Sequence, residues 1–109
     1  MSHYKETTAD TVYEEYQKFG SVHLIDVREP GEFAELRTPI SRNLPLSEIE
    51  ASEVCESLQI PKGEPIYLIC GSGKRSARAC EILARQGYLR LYNVSGGMLA
   101  WKQGLLPTV

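Results

Sequence analysis

Two apolar runs of strand length, Val22-His23-Leu24-Ile25-Asp26-Val27 and Ile66-Tyr67-Leu68-Ile69-Cys70, restrict most what this chain can fold into. Both are continuous rather than alternating, the pattern of strands covered on both faces. A third run, Leu91-Tyr92-Asn93-Val94, is shorter and stops at the turn Ser95-Gly96-Gly97. Helical patterns lie between them. Ala9, Val12, Tyr16 and Phe19 share one face, with Gly20 placed as a C-terminal stop. Ala51, Val54, Cys55 and Leu58 keep the i, i+3, i+4, i+7 spacing, and Ala77, Cys80, Leu83 and Ala84 form a similar stripe that ends at Gly87. A last short helix is expected over Met98 to Lys102. Strands alternating with helices at these lengths predict a parallel α/β sheet with helices on both faces. With 109 residues, the chain is expected to form one domain spanning 1–109.

Composition narrows the classes of function. The chain is 42% hydrophobic and 24% charged with a mean hydropathy of -0.26, as expected of a globular protein. No apolar run approaches the roughly 18 residues of a membrane-spanning helix. The opening MSHYKETTAD has no apolar core of a signal peptide, so a cytoplasmic location is expected, with no membrane partner. A net charge of -2 argues against nucleic acid as a partner. The charge is uneven, however. Residues 1–56 carry twelve acids and five bases, a net of -7; residues 57–109 carry two acids and seven bases, a net of +5. Four of these bases, Lys74, Arg75, Arg78 and Arg85, lie in or just after the segment that follows Cys70. They read either as a solvated helix face, favoured for Arg78 and Arg85, or as a local positive field for a small anion.

Three cysteines cannot all pair within one chain, and their spacings of 15 and 10 fit neither a CxxC motif nor a zinc site. A disulfide scaffold and a metal site are therefore not expected; no cofactor is expected either. Cys55 and Cys80 fall on the apolar stripes of their helices and read as small buried hydrophobes. Cys70 differs, because it ends a buried strand and precedes a loop that opens a helix, the place where α/β sheets bind ligands. Gly71, Ser72 and Gly73 let successive backbone N–H groups turn inward into an anion-binding concavity. The helix expected from about Ser76 adds the positive end of its dipole, and Lys74 and Arg75 add full charges. Each feature favours the thiolate, the nucleophilic form.

Two other anion-binding motifs fail on spacing. A nucleotide-binding loop, G-x-x-x-x-G-K-S/T, would need glycine where Leu68 stands and Ser or Thr where Arg75 stands. A cysteine phosphatase uses C-x5-R, whereas four residues separate Cys70 from Arg75 here. The shorter cradle suits one sulfur atom better than a tetrahedral oxyanion.

Four segments in order resemble the single-domain rhodaneses, a family of sulfurtransferases. Leu24-Ile25-Asp26-Val27-Arg28-Glu29-Pro30 with Glu32-Phe33 resembles that family's L-I-D-V-R-x-x-x-E-F/Y. Asn43-Leu44-Pro45-Leu46 is similar to N-I-P-L, and Cys70 through Ser76 to the active loop C-x-x-G-x-R-S. Tyr92 through Trp101 resembles the ending Y-N-L-x-G-G-I/M-x-A-W. The resemblance implies a five-stranded parallel sheet flanked by helices on both faces, with Cys70 as sulfur carrier. It also implies that Gly71, Ser72, Gly73, Lys74, Arg75 and Ser76 hold the persulfide. The donor would be a small anion, thiosulfate or a persulfide, and the acceptor cyanide or a thiol, protein thiols included. Asp26 resembles the family's aspartate that helps support the active loop; it reads equally as a strand-end turn or capping residue. Arg28 is expected to pair with Glu32 or Glu35. The chain departs from the family pattern at Gly71, where many relatives carry arginine, and at Leu36 to Ser41, where only Pro39 of G-H-I-P-G-A is kept. One cation for thiosulfate is thus missing, with Lys74 and Arg37 as candidates to replace it. The alternative within the same fold is a non-catalytic interaction module.

Overall fold

The computed structural model describes residues 3–51 and 58–109. Its elements run in the order β1 (Lys5–Thr7), α1 (Ala9–Phe19), β2 (Leu24–Asp26), α2 (Pro30–Glu35), β3 (Ser41–Asn43), α3 (Leu46–Ala51), β4 (Ile66–Ile69), α4 (Lys74–Arg85), β5 (Leu91–Val94) and α5 (Gly97–Gln103). The five strands form one parallel sheet in the order β1-β5-β4-β2-β3, with β4 at its centre.

The continuous apolar runs are buried as their pattern requires. Leu24, Ile25 and Asp26 of β2 are all buried, as are Ile66, Leu68 and Ile69 of β4. Side chains alternate across each strand. Ile25, Ile66 and Leu68 therefore face one core with Ala79, Cys80 and Leu83 of α4, while Leu24 and Ile69 face another with Val12 of α1 and Met98 and Trp101 of α5. Each fully buried Leu or Ile contributes about 2 kcal/mol relative to an exposed one.

α1 begins at an N-cap, Thr8, whose hydroxyl accepts from the Thr11 N–H at 3.1 Å, and ends at Gly20 in the left-handed region. Phe19, expected on the buried stripe, is instead 64% exposed. An eleven-residue helix is about 16 Å long and outruns the short strands beneath it. α4 starts at Lys74, two residues earlier than expected, because Gly73 at φ +105° supplies the turn. The stripe expected from Ala51 to Leu58 lies mainly on residues 52–57, outside the described residues, and Cys55 with it.

Candidate active site

Cys70 directly follows β4 at the carboxyl end of the sheet, 1% exposed as a residue. Its loop runs through Gly71, Ser72 and Gly73 and turns back into α4. The Gly73 N–H donates to Cys70 Sγ at 3.0 Å, and Ser76 Oγ lies 3.3 Å from the same sulfur. Burial raises the Cys70 thiol, but hydrogen bonds outweigh it. The Ser76 hydroxyl and the backbone N–H groups of Ser76, Gly73 and Ser72 hold the group below the ordinary thiol range. Ser76 is the third residue of α4, so its N–H is among the unpaired donors of the first helical turn.

From behind, α5 fixes the loop. Met98 N–H donates to the Cys70 carbonyl at 2.7 Å and Leu99 N–H to the Gly71 carbonyl at 3.1 Å. The chain reaches these carbonyls only because residue 97 is glycine. It sits at φ +51°, and a Cβ there would stand 2.2 Å from the Cys70 oxygen.

The charges are arranged differently from the expectation. Arg75 does not present a free cation to the sulfur. Its guanidinium forks onto Glu32 of α2, with Nη1 to Oε1 at 2.6 Å and Nη2 to Oε2 at 3.1 Å. That hydrogen bond is the main cause of the raised Arg75 guanidinium, and it holds the Glu32 carboxyl at about 2. Lys74 and Ser72 are exposed, on the solvent side of the loop. Arg78 pairs with Glu50 and Glu81, and Arg85 is exposed, as a solvated helix face requires. The donors on Sγ are therefore chiefly dipolar, backbone N–H groups and one hydroxyl, rather than side-chain cations.

Asp26 is fully buried, and its carboxylate accepts from Arg28: the backbone N–H at 2.9 Å, Nε at 3.1 Å and Nη2 at 2.9 Å. This is the strand-end turn role. Arg28 was expected to pair with the Glu32 or Glu35 carboxylate. It instead pairs with Asp26 and donates to the carbonyl of Glu32, which also accepts the Leu36 N–H, and to the carbonyl of Leu36, the residue that caps α2. Asp26 thus reaches the loop indirectly: it holds Arg28, Arg28 holds the end of α2, and α2 carries Glu32 to Arg75. In the altered segment, Thr38 is fully buried, and Arg37 packs its guanidinium over the Phe33 ring at 5.3 Å.

Sequence reasoning missed four parts of this site: Glu32, Gly97, Asn93, whose Oδ1 accepts from Ser76 Oγ, and Glu6, whose carboxylate accepts from Asn93 Nδ2. The double glycine was a signal for Gly97. The others join the site only through strand register and helix placement. Cys80 is the inert thiol expected, fully buried and pushed up to about 12, first by desolvation and then by Glu6 and Glu81. Among the described residues no cluster of His, Cys, Asp and Glu could hold a metal ion, and no helix is long and apolar enough to cross a membrane.

Known proteins resemble the chain throughout. A family model described as the rhodanese-like domain matches residues 8–104. A protein named sulfurtransferase from Allochromatium vinosum is 39% identical over 88 residues, 81% of this chain and 78% of that one. A putative sulfurtransferase of Bacillus subtilis, YtwF, is 36% identical over 94% of this chain and 95% of its own length. The crystal structure of a rhodanese-related protein from Thermoplasma volcanium superposes with a TM-score of 0.79 at 29% identity, covering 97% of this chain and 98% of that one. A Rhodopseudomonas palustris structure described as a possible tyrosine phosphatase shares the fold with a TM-score of 0.82, over 95% of this chain and 83% of its own, but only 20% identity. With its parallel sheet, the loop after β4 and a family match over nearly its whole length, the chain belongs to the rhodanese-like domain family.

Proposed function

We propose that the protein is a sulfurtransferase that carries sulfane sulfur on Cys70 as a persulfide. The observation that carries this reading is the buried Cys70 sulfur, with hydrogen-bond donors from Gly73 and Ser76 at 3.0 and 3.3 Å and its thiol held low in spite of burial. Backbone N–H donors fixed in place around an atom that is anionic before and after reaction stabilise it without reorganisation, as an oxyanion hole does for oxygen.

In the first step the Cys70 thiolate attacks the outer sulfur of thiosulfate. A sulfur–sulfur bond forms to Cys70, the bond to the sulfonate breaks, and sulfite leaves with the electron pair. In the second step an acceptor takes the outer sulfur: cyanide leaves as thiocyanate, a thiolate leaves as a persulfide, and the Cys70 thiolate returns. A persulfide can replace thiosulfate as donor, with a thiolate as leaving group. With the thiolate formed in advance, no general base is needed. Gly71 and the Arg75–Glu32 pair leave little unpaired charge on the loop, which favours a persulfide donor over the dianion thiosulfate. Lys74 is the exposed cation of the loop and the side chain that meets an incoming anion.

Steady-state formation of thiocyanate from thiosulfate and cyanide, or from a persulfide donor and cyanide, tests the reading. Wild type should turn over and Cys70→Ser should fall to background. Equal rates for the two would remove Cys70 from the chemistry.

A further inference from the structure

The sulfur of Cys70 stands at the end of a chain of hydrogen bonds that crosses the sheet edge. Glu6 of β1 and Asn93 of β5 are register partners. Asn93 is 4% exposed, and its Nδ2 donates to Glu6 Oε1 at 3.1 Å and to the Gly73 carbonyl at 3.1 Å. Both partners are acceptors, so the amide orientation is fixed and Oδ1 must face Ser76. Ser76 Oγ lies 2.5 Å from that Oδ1 and 3.3 Å from Cys70 Sγ. Two oxygens this close must share a proton, and Ser76 has only one to give. Ser95 Oγ donates to Glu6 at 2.7 Å and holds the carboxylate in place.

With Cys70 as a thiol the chain runs one way: sulfur donates to Ser76, Ser76 to Asn93, and Asn93 to Glu6. With Cys70 ionised the sulfur becomes an acceptor, and the Ser76 proton must swing from Asn93 to sulfur. Glu6 polarises the amide through a charge-assisted bond and strengthens Oδ1 as an acceptor. We infer that Glu6 is a positioning residue that acts through Asn93 to hold the Ser76 proton away from Cys70, and so sets how readily the thiol ionises. Loss of Glu6 loosens that hold and favours the thiolate. The inference rests on Cys70 as the reacting thiol of the proposed sulfur transfer.

Other charged groups bear on the same sulfur. Lys74 and Arg75 stand on its own loop and helix, Arg75 with its partner Glu32 from α2, and the Asp26–Arg28 pair lies behind α2. Tyr4, Cys80 and Glu81 lie near Glu6. Deleting Glu6 also removes a negative charge, which pulls the thiol the same way, so the test must separate charge from proton position.

The rate of Cys70 alkylation by iodoacetamide, resolved from the other cysteines by peptide mass and followed against pH, reads the thiolate with no sulfur donor present. A negative result here therefore leaves the sulfur-transfer reading to be judged by thiocyanate formation. Glu6→Ala should raise the thiolate fraction below the midpoint by about twofold to threefold. Glu6→Gln, which keeps an acceptor for Asn93, should fall in between. In a Ser76→Ala background the Glu6→Ala effect should shrink to the smaller part that the lost charge contributes through space, and in Ser76→Thr, which keeps a hydroxyl, it should persist in full. An equal effect in the Ser76→Ala background would mean that Glu6 acts through space as a charge, and would overturn the inference. No change, or a midpoint moved upward, on Glu6→Ala would overturn it as well. Glu6 is exposed on an edge strand, so its variants test the idea in the folded protein.

Discussion

Replacing Gly97 by alanine should cost far more than an ordinary glycine substitution, and the structure sets the scale. A Cβ at position 97 would lie 2.2 Å from the Cys70 carbonyl oxygen and 2.9 Å from the carbonyl carbons of Cys70 and Gly71. These are rigid backbone atoms, so α5 must move away from the loop. Two hydrogen bonds are then lost, Met98 N–H to Cys70 and Leu99 N–H to Gly71, at about 1 kcal/mol each. An alanine held at φ +51° adds about 1 kcal/mol of backbone strain. The total is about 3 kcal/mol, a fall in Tm of about 12 to 24 °C for a domain of this size. Gly20→Ala is the control. It has φ +80° but nothing within 4 Å of its Cβ, so only strain remains, about 1 kcal/mol or roughly 6 °C. Thermal unfolding followed by circular dichroism compares the two. Because α5 holds the carbonyls on either side of the loop, Gly97→Ala should also slow Cys70 alkylation at neutral pH, while Gly20→Ala should not. Equal Tm losses for the two variants would refute the close approach of α5 to Cys70.

Two further predictions concern the charges beside the loop. The Glu32 carboxyl is held at about 2 instead of 4.5, chiefly by the Arg75 hydrogen bond, so the pair stabilises the fold fully above about pH 4.5 and loses its effect as pH falls toward 2. With both side chains about two-fifths exposed the pair contributes about 1 kcal/mol, so Glu32→Gln should lower Tm by about 4 to 8 °C at pH 7 and by a small fraction of that near pH 2; a Tm difference that does not depend on pH would contradict this. Gly71→Arg should be accepted, since a Cβ there meets only the flexible tip of Arg75 at 3.2 Å, and it restores a loop cation. The KM for thiosulfate should fall by about twofold to fivefold with kcat little changed; an unchanged or raised KM would show that charge at position 71 does not limit this donor.

What the sequence made legible follows from where each signal resides. Strands β2, β4 and β5 could be read because buried parallel strands write continuous apolar runs. Strands β1 and β3 could not, because Lys-Glu-Thr and Ser-Arg-Asn are three-residue polar edges that owe their conformation to pairing with β5 and β2. α2 was also hidden, since it opens on Pro30-Gly31 and buries no residue fully. The Cys70 loop was legible because its chemistry is local: a strand end, small residues and a helix start. Glu32 lies 43 residues from Arg75, and Glu6 lies 87 from Asn93, so neither partner carries a sign of the other in the sequence. That is why Arg75 was read as a free cation when it is half of an ion pair. Arg28 was misread for the opposite reason, its true partner Asp26 being two residues away across the strand end.

The central claim is that sulfur is carried on Cys70. Intact mass spectrometry after treatment with thiosulfate or a persulfide donor tests it most directly. The account predicts a gain of one sulfur atom, about 32 Da, removed by cyanide and absent in Cys70→Ala. Wild-type protein that gains no sulfur from either donor would contradict the account and favour a binding module built on the same fold.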